Sequence, residues 1–265
     1  RMPQGEEAGE DECELNLRKV YDFSVEAPLE EIEFIREARR LNESASRQAL
    51  KGCYGHELGK TLSRPLGRGI MGDTIFSHIL SSTSCACDAR MAGAMIPVMS
   101  NSGSGNQGMT ASLPVVEYAK EYNKTEEELI RAVILSDLIT IHQKSKIGRL
   151  SAFCGAISAG CGAAAGIAYL LGGDYDTIAH TLVNSLAIVS GIVCDGAKAS
   201  CAGKIAAAVN AGILGYNMYL NGSQFWAGDG IVSKGVENTI RNVGRLGRDG
   251  MRETDREILK IMTEE

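Results

Sequence analysis

The chain has 265 residues and a net charge of −6. That length holds one large domain or two small ones with a buried core, and the acidic balance, with no basic stripe, argues against a nucleic-acid or anionic-membrane surface. Glycine is abundant at 31 residues, whereas proline (5) and aromatics (5%) are scarce, which favours helices packed through small residues over a loop-rich chain. Eight cysteines are too sparse for a small disulfide scaffold and follow no secretory signal. A cytoplasmic protein with metal-binding, catalytic or buried thiols is the better expectation.

Residues 1–18 are acidic and polar without an apolar period, so they read as a mobile leader or a boundary to a preceding region, with 19–265 as a single helical domain. Cys13 is incidental there. From Pro28 the pattern turns helical: Leu29, Ile32, Phe34 and Ile35 share a face, and Glu30, Glu31 and Glu33 suit the N-terminal end of the dipole. This helix is expected to run towards Leu50 and stop at Gly52. A glycine-punctuated segment follows, holding His56, Glu57 and Arg64-Pro65. Asp73 then caps a predicted helix reaching about Met95. Cys85 and Cys87 on it point about 200° apart, so they read as small core residues rather than joint ligands.

After the run Asn101–Gly108, Thr110–Tyr122 reads as a helix. Thr125 opens T-E-E-E, a capping box with Glu128, and the helix it starts is expected to end near His142. Leu150–Gly173 carries no charged residue. It is long enough to span a bilayer, but its Gly, Ala, Ser and Cys content inserts poorly, so a buried core helix is preferred. Asp174 or Asp176 restarts a helix to about Ser190, and another covers Lys204–Leu220. A loop holds the sole tryptophan, Trp226. Residues 230–247 and 253–263 are predicted helical. Alternating β-branched runs are few, so the predicted class is all-α: a multi-helix domain of small-residue-rich helices around a buried site.

Three groups of residues carry candidate chemistry. In the first, Asn101, Ser102, Gly103, Ser104, Gly105, Asn106 and Gln107, glycines allow close backbone approach and a helix N-terminus offers N–H groups to an anion. The run is neither a Walker A loop nor a dinucleotide fingerprint. It reads as a substrate-binding loop, set against an ordinary polar one. The second group is His142-Gln-Lys144-Ser-Lys-Ile-Gly-Arg149. Here His142 and Lys144 read as acid/base groups or carboxylate anchors, or as surface groups matched to a helix C-terminus.

The third group is Cys154, Cys194 and Cys201, with Cys161 as a fourth candidate. Cys194 and Cys201 are seven residues apart, which on a straight helix is roughly 10 Å along the axis. That is too far for one zinc ion, and no C-x-x-C is present. The chain between them must turn if they are co-ligands. From spacing alone, metal ligands and small core residues both stay open.

NSGSGNQG, IHQKSKIGRLSAFCG and CDGAKASCAGK, occurring in that order, together resemble the iron–sulfur L-cysteine desulfidase family, also described as serine dehydratase alpha-chain-like proteins. The likeness runs from about Asp22 to Leu259. The resemblance implies a [4Fe–4S] cluster held by Cys154, Cys194 and Cys201, with Cys161 as packing. It implies a lyase that splits L-cysteine to pyruvate, ammonia and sulfide, or, as the alternative, an L-serine ammonia-lyase. A non-catalytic helical binding module is the reading outside that class. Family members carry a further cysteine in a Gly-Cys-Thr-Glu-Pro-like motif, which this sequence lacks; Cys53 in Lys-Gly-Cys-Tyr-Gly is no match. The chain therefore reads as the C-terminal, cluster-binding portion of a longer enzyme. Its expected partners are a small amino-acid substrate and the preceding region of the same polypeptide, with a homodimer as an open assembly and no nucleic acid or membrane.

Overall fold

The computed structural model describes residues 14–63, 72–148 and 151–264. Cys13, Arg64-Pro65, Arg149, Leu150 and most of the predicted leader lie outside them. Among the described residues every regular element is helical, as the all-α expectation requires. In chain order the helices are α1 (Leu17–Glu26), α2 (Leu29–Ile32), α3 (Ile35–Lys51), α4 (Leu58–Ser63), α5 (Ile75–Met91), α6 (Gly105–Glu121) and α7 (Glu126–Ile147). There follow α8 (Gly155–Leu170), α9 (Tyr175–Ile188), α10 (Cys201–Leu220), α11 (Val236–Arg245), a π-helical turn (Leu246–Gly250) and α12 (Arg252–Thr263). No helix among the described residues is long and apolar enough to cross a membrane.

The uncharged run forms α8, the centre of the molecule, packed on α6, α7, α9 and α10. Its small residues let backbones nearly touch. A Cβ on Gly160 would stand 2.7 Å from the Ala208 carbonyl oxygen on α10, and one on Gly212 would stand 2.6 Å from that of Gly160. On the α7 side, a Cβ on Gly162 would meet the Ser136 carbonyl at 2.5 Å. Cys161 is buried in the same core, with Ser185 of α9 as its hydrogen-bond partner. Glu43 ties α3 to α6: although burial alone would raise its pKa, Lys120, Arg47 and Arg39 hold the carboxyl below its ordinary value.

Several boundaries differ from expectation, each for a local reason. Leu17 and Val20 are buried, so α1 begins inside the predicted leader and ahead of the Pro28 helix. Its N-cap Asn16 accepts a hydrogen bond from Lys19 N (2.9 Å). The Pro28 helix is interrupted at Glu33-Phe34, and Phe34 faces solvent while Ile32 and Ile35 are buried. The cap of α5 is Thr74, whose hydroxyl accepts from Ser77 N (3.3 Å); Asp73 instead pairs with His78 (2.6 Å). That helix stops at Met91, because Gly93 at φ +80° turns the chain before Met95. The Thr125–Glu128 capping box is formed as predicted. However, α7 runs past His142 to Ile147, and the stop is Gly148 at φ +100°. The polar residues His142, Gln143 and Lys144 continue the helix because all three are buried against neighbouring elements.

Candidate functional site

Three helix N-termini carry the predicted site residues. Cys154 is the N-cap of α8, and neither it nor Ser200, the N-cap of α10, makes a side-chain capping hydrogen bond. Cys201 is the first residue of α10. The third is α6, whose N-cap Ser104 accepts from Gln107 N (3.4 Å). Partial positive charge at the uncapped ends of α8 and α10 favours thiolate and other anionic groups.

The cysteines are brought together by a short backbone pairing. Phe153 and Val193 form an isolated antiparallel bridge. Cys154 N donates to the Ile192 carbonyl (2.9 Å) and Cys194 N to that of Ala152 (2.7 Å). Cys154 and Cys194 share a side-chain hydrogen bond, and Cys201 is close enough for its charge to act on Cys154. The hydrogen bond and burial push the Cys154 thiol upward. The same bond holds Cys194 below the ordinary thiol value, aided by the Gly196 backbone and the Lys204 ammonium. Between Cys194 and Cys201 the chain turns, as the spacing demanded. Gly196 takes φ +91°, Cys201 Sγ donates to the Gly196 carbonyl (3.5 Å), and Lys198 N donates to Cys201 Sγ (3.4 Å). Lys204 pairs with Asp195 beside the thiols.

Lys144 and His142 part company. Lys144 is buried, and its side chain has no hydrogen bond or ion pair among the described residues. Burial pushes its ammonium below the ordinary value, and only the charges of Cys194 and Cys154 oppose that. His142 lies about 200° round α7 from it. It contacts Glu237 of α11 (2.9 Å), whose other oxygen accepts from Leu17 N (2.6 Å). The pair clamps α1 and α11 onto α7, on a face away from the cysteines.

The glycine-rich run resolves into structural positions and one orphan. Asn101 and Ser104 exchange backbone hydrogen bonds (3.1 and 3.0 Å) across Ser102 (φ +50°) and Gly103 (φ +79°), a tight hairpin turn of the kind that needs positive φ at both central residues. Asn101 Nδ2 ties the turn to Asp137 Oδ1 (2.9 Å), and Ser102 Oγ donates to Asn101 Oδ1 (2.8 Å). A Cβ on Gly105 would lie 2.7 Å from Arg90 Nε, and Arg90 Nη1 donates to Asn106 Oδ1 (3.0 Å).

Gln107 is different. Its amide lies over Gly155, 2.4 Å from where a Cβ would stand. It is 8% exposed, and its Oε1 has no hydrogen-bond partner among the described residues. Gln143 Oε1 and Ser158 Oγ are also buried without a partner, where Gln143 Nε2 donates to the Ser158 carbonyl (3.3 Å) one turn into α8. Unsatisfied buried polar atoms are rare, and each calls for a structural or functional reason.

Sequence reasoning missed the contribution of α5. Ser84, Cys87 and Arg90 follow at i, i+3 and i+6 and so share one face. Ser84 Oγ donates to the Ala202 carbonyl (3.0 Å), Cys87 is fully buried and feels the charge of Cys201, and Arg90 reaches the head of α6. That stripe is the signal the sequence offers, masked because Cys85 and Cys87 read together as core residues. Elsewhere, a cavity of about 740 Å³ lined by Tyr21, Tyr118, Tyr122 and Tyr169 contains none of the predicted site residues.

Fold and site define an all-α protein that gathers thiols, a buried lysine and orphaned polar groups at converging helix N-termini. The chain belongs to the serine dehydratase alpha chain family, whose model matches residues 7–260. It is 53% identical over 263 residues to a UPF0597 protein of Bacteroides fragilis, covering 99% of this chain and 61% of that one. It is 55% identical over 249 residues to one of Desulfitobacterium hafniense, covering 94% and 57%. Against one of Porphyromonas gingivalis it is 44% identical over 254 residues, covering 96% and 59%. The chain thus spans about three-fifths of the length of these relatives.

Proposed function

We propose that the chain is the cluster-binding part of a lyase acting by β-elimination on a small α-amino acid, L-cysteine in the first reading and L-serine in the alternative. Cys154, Cys194 and Cys201 are the proposed ligands of a [4Fe–4S] cluster. The observation that carries this reading is the meeting of three thiols from separate stretches of chain, two of them at uncapped helix N-termini. No three His, Cys, Asp or Glu side chains among the described residues are grouped to hold one metal ion. All three donors are thiols, the ligand type that holds iron–sulfur clusters, so the chemistry of the donor set fits the group. The cytoplasm is the proposed compartment, since the ligands must stay reduced.

When bound, the cluster would supply an iron without a protein thiolate as Lewis acid for the departing sulfur or oxygen. The chain's own residues supply the rest. Burial pushes the Lys144 ammonium below its ordinary value, the direction a base needs, and Lys144 Nζ is the proposed acceptor of the α-proton of a substrate held beside Cys154 and Cys194. Gln107 Oε1 and the head of α6 hold the substrate. His142 has no step in this scheme; it positions α1 and α11. Loss of the α-proton and of the β-substituent leaves aminoacrylate, which water converts to pyruvate and ammonia.

Pyruvate release tests the scheme. After anaerobic reconstitution of a polypeptide of the relatives' full length, the proposal expects pyruvate from L-cysteine, with sulfide in equal amount, and a loss of at least roughly a hundredfold in Lys144→Met. Pyruvate from L-serine alone would move the substrate assignment to the alternative, and none from either would overturn the lyase reading.

A further inference from the structure

The connection between α10 and α11, residues 221–235, holds the only tryptophan of the chain and has no part in the lyase scheme. It is tied down at several points. Phe225 N donates to Asn184 Oδ1 (3.0 Å), Trp226 N to Asp229 Oδ2 (2.7 Å), and Gly228 N to the Val232 carbonyl (3.1 Å). Ser233 N donates to Thr239 Oγ1 of α11 (3.1 Å). Trp226 nevertheless stays 67% exposed. Beside it lies a cavity of about 350 Å³, at the small end of the roughly 300–1,000 Å³ that small-molecule sites occupy. The described residues that line it include none of the predicted site residues.

The lining comes from two stretches of chain. Tyr175, Ala179 and Val183 recur at i, i+4 and i+8 on one face of α9, with His180 next to them, its ring stacked on Tyr219 (4.8 Å). Phe225, Trp226 and Lys234 come from the connection. Aromatic and aliphatic walls with few polar groups suit a flat, apolar body. The charge of the cavity has one sign. Lys234 is exposed and its side chain has no hydrogen bond or ion pair among the described residues. No carboxylate is among the described residues that line the cavity. In the adjoining chain, Glu237 is held by Leu17 N and His142, and Asp229 accepts from Trp226 N. We propose that this cavity binds a small planar aromatic carboxylate, its ring against Trp226 and Phe225 and its anionic group beside Lys234. The aromatic lining selects the ring, and the unpaired ammonium selects the sign of the charge. This site is separate from the thiols and does not depend on the lyase reading.

Benzoate, benzamide and benzamidine share one shape and differ in charge, so titrating each into the full-length polypeptide while following tryptophan fluorescence tests the assignment. Trp226→Phe supplies the blank for any other tryptophan. Benzoate is expected to change the Trp226 signal saturably, with a Kd about threefold or more below that of benzamide, and benzamidine to give no saturable change. Lys234→Met, a surface change, should weaken benzoate by about threefold or more and leave benzamide unaltered. Ala179→Phe, which fills the cavity, should abolish both responses. Equal affinity for the three probes, or an unchanged benzoate Kd in Lys234→Met, overturns the proposal. Absence of any Trp226 response to benzoate overturns it too. So does a Trp226 signal that shifts with protein concentration alone, which would make this face a contact between copies of the chain.

Discussion

Lys144 and His142 sit two residues apart and end in different chemistry. Lys144 is buried with no carboxylate paired to it, and burial pushes its ammonium below the ordinary value against the opposing charges of Cys194 and Cys154; His142 is spent on Glu237. Asp137, one face along α7, shows how burial sets a titration. Burial raises its carboxyl to about 6, against a weaker opposing effect of the Asn101 amide that donates to it. A carboxyl whose folded pKa stands above its ordinary value of 3.8 contributes its stabilisation fully below that value and loses it as the pH rises through about 6. Asp137→Asn keeps the Oδ1 acceptor and removes the titration. Its denaturation midpoint is therefore expected to rise relative to wild type as the pH goes from about 4 to about 7. A gap that stays constant across that range would mean that the carboxyl is solvated normally.

At the scale of elements, α8 is what the uncharged, glycine-rich run predicts: a helix that draws its neighbours close because it has little side chain. Gly212→Val places two methyl groups against the Gly160 carbonyl, so α8 and α10 must separate. The expected cost is about 1–3 kcal/mol or more, read as a lower urea midpoint, with Ala206→Val on the half-buried side of α10 as a milder control. Unchanged stability in Gly212→Val would mean that the two helices are not in contact. Capping chemistry made much of this legible: Thr125 with Glu128, Asp174 and Gly52 mark helix ends by local rules. The site was less legible, because its parts are joined by tertiary contacts. Spacing required a turn between Cys194 and Cys201, but no local pattern reveals that Phe153 pairs with Val193 or that Arg90 reaches Asn106. The glycine-rich run showed the converse. Most of its residues, read as ligand contacts, have structural duties in a tight turn and a helix cap, and Gln107 is the one left without a partner.

For the whole molecule, the N-terminal ends of α6, α8 and α10 lie near one another: Gln107 of α6 stands over Gly155 of α8, and Cys201 at the head of α10 acts on Cys154. Their dipoles, with Lys144 and Lys204, make that region favourable to anionic sulfur. Iron content per chain after anaerobic reconstitution and desalting, read with visible absorption, tests this account most directly. Wild type and Cys161→Ser are expected to retain about four irons per chain, while Cys154→Ser, Cys194→Ser and Cys201→Ser each lose most of the iron and the visible band. Iron retained unchanged in all three single variants would contradict the central claim that these thiols form one site.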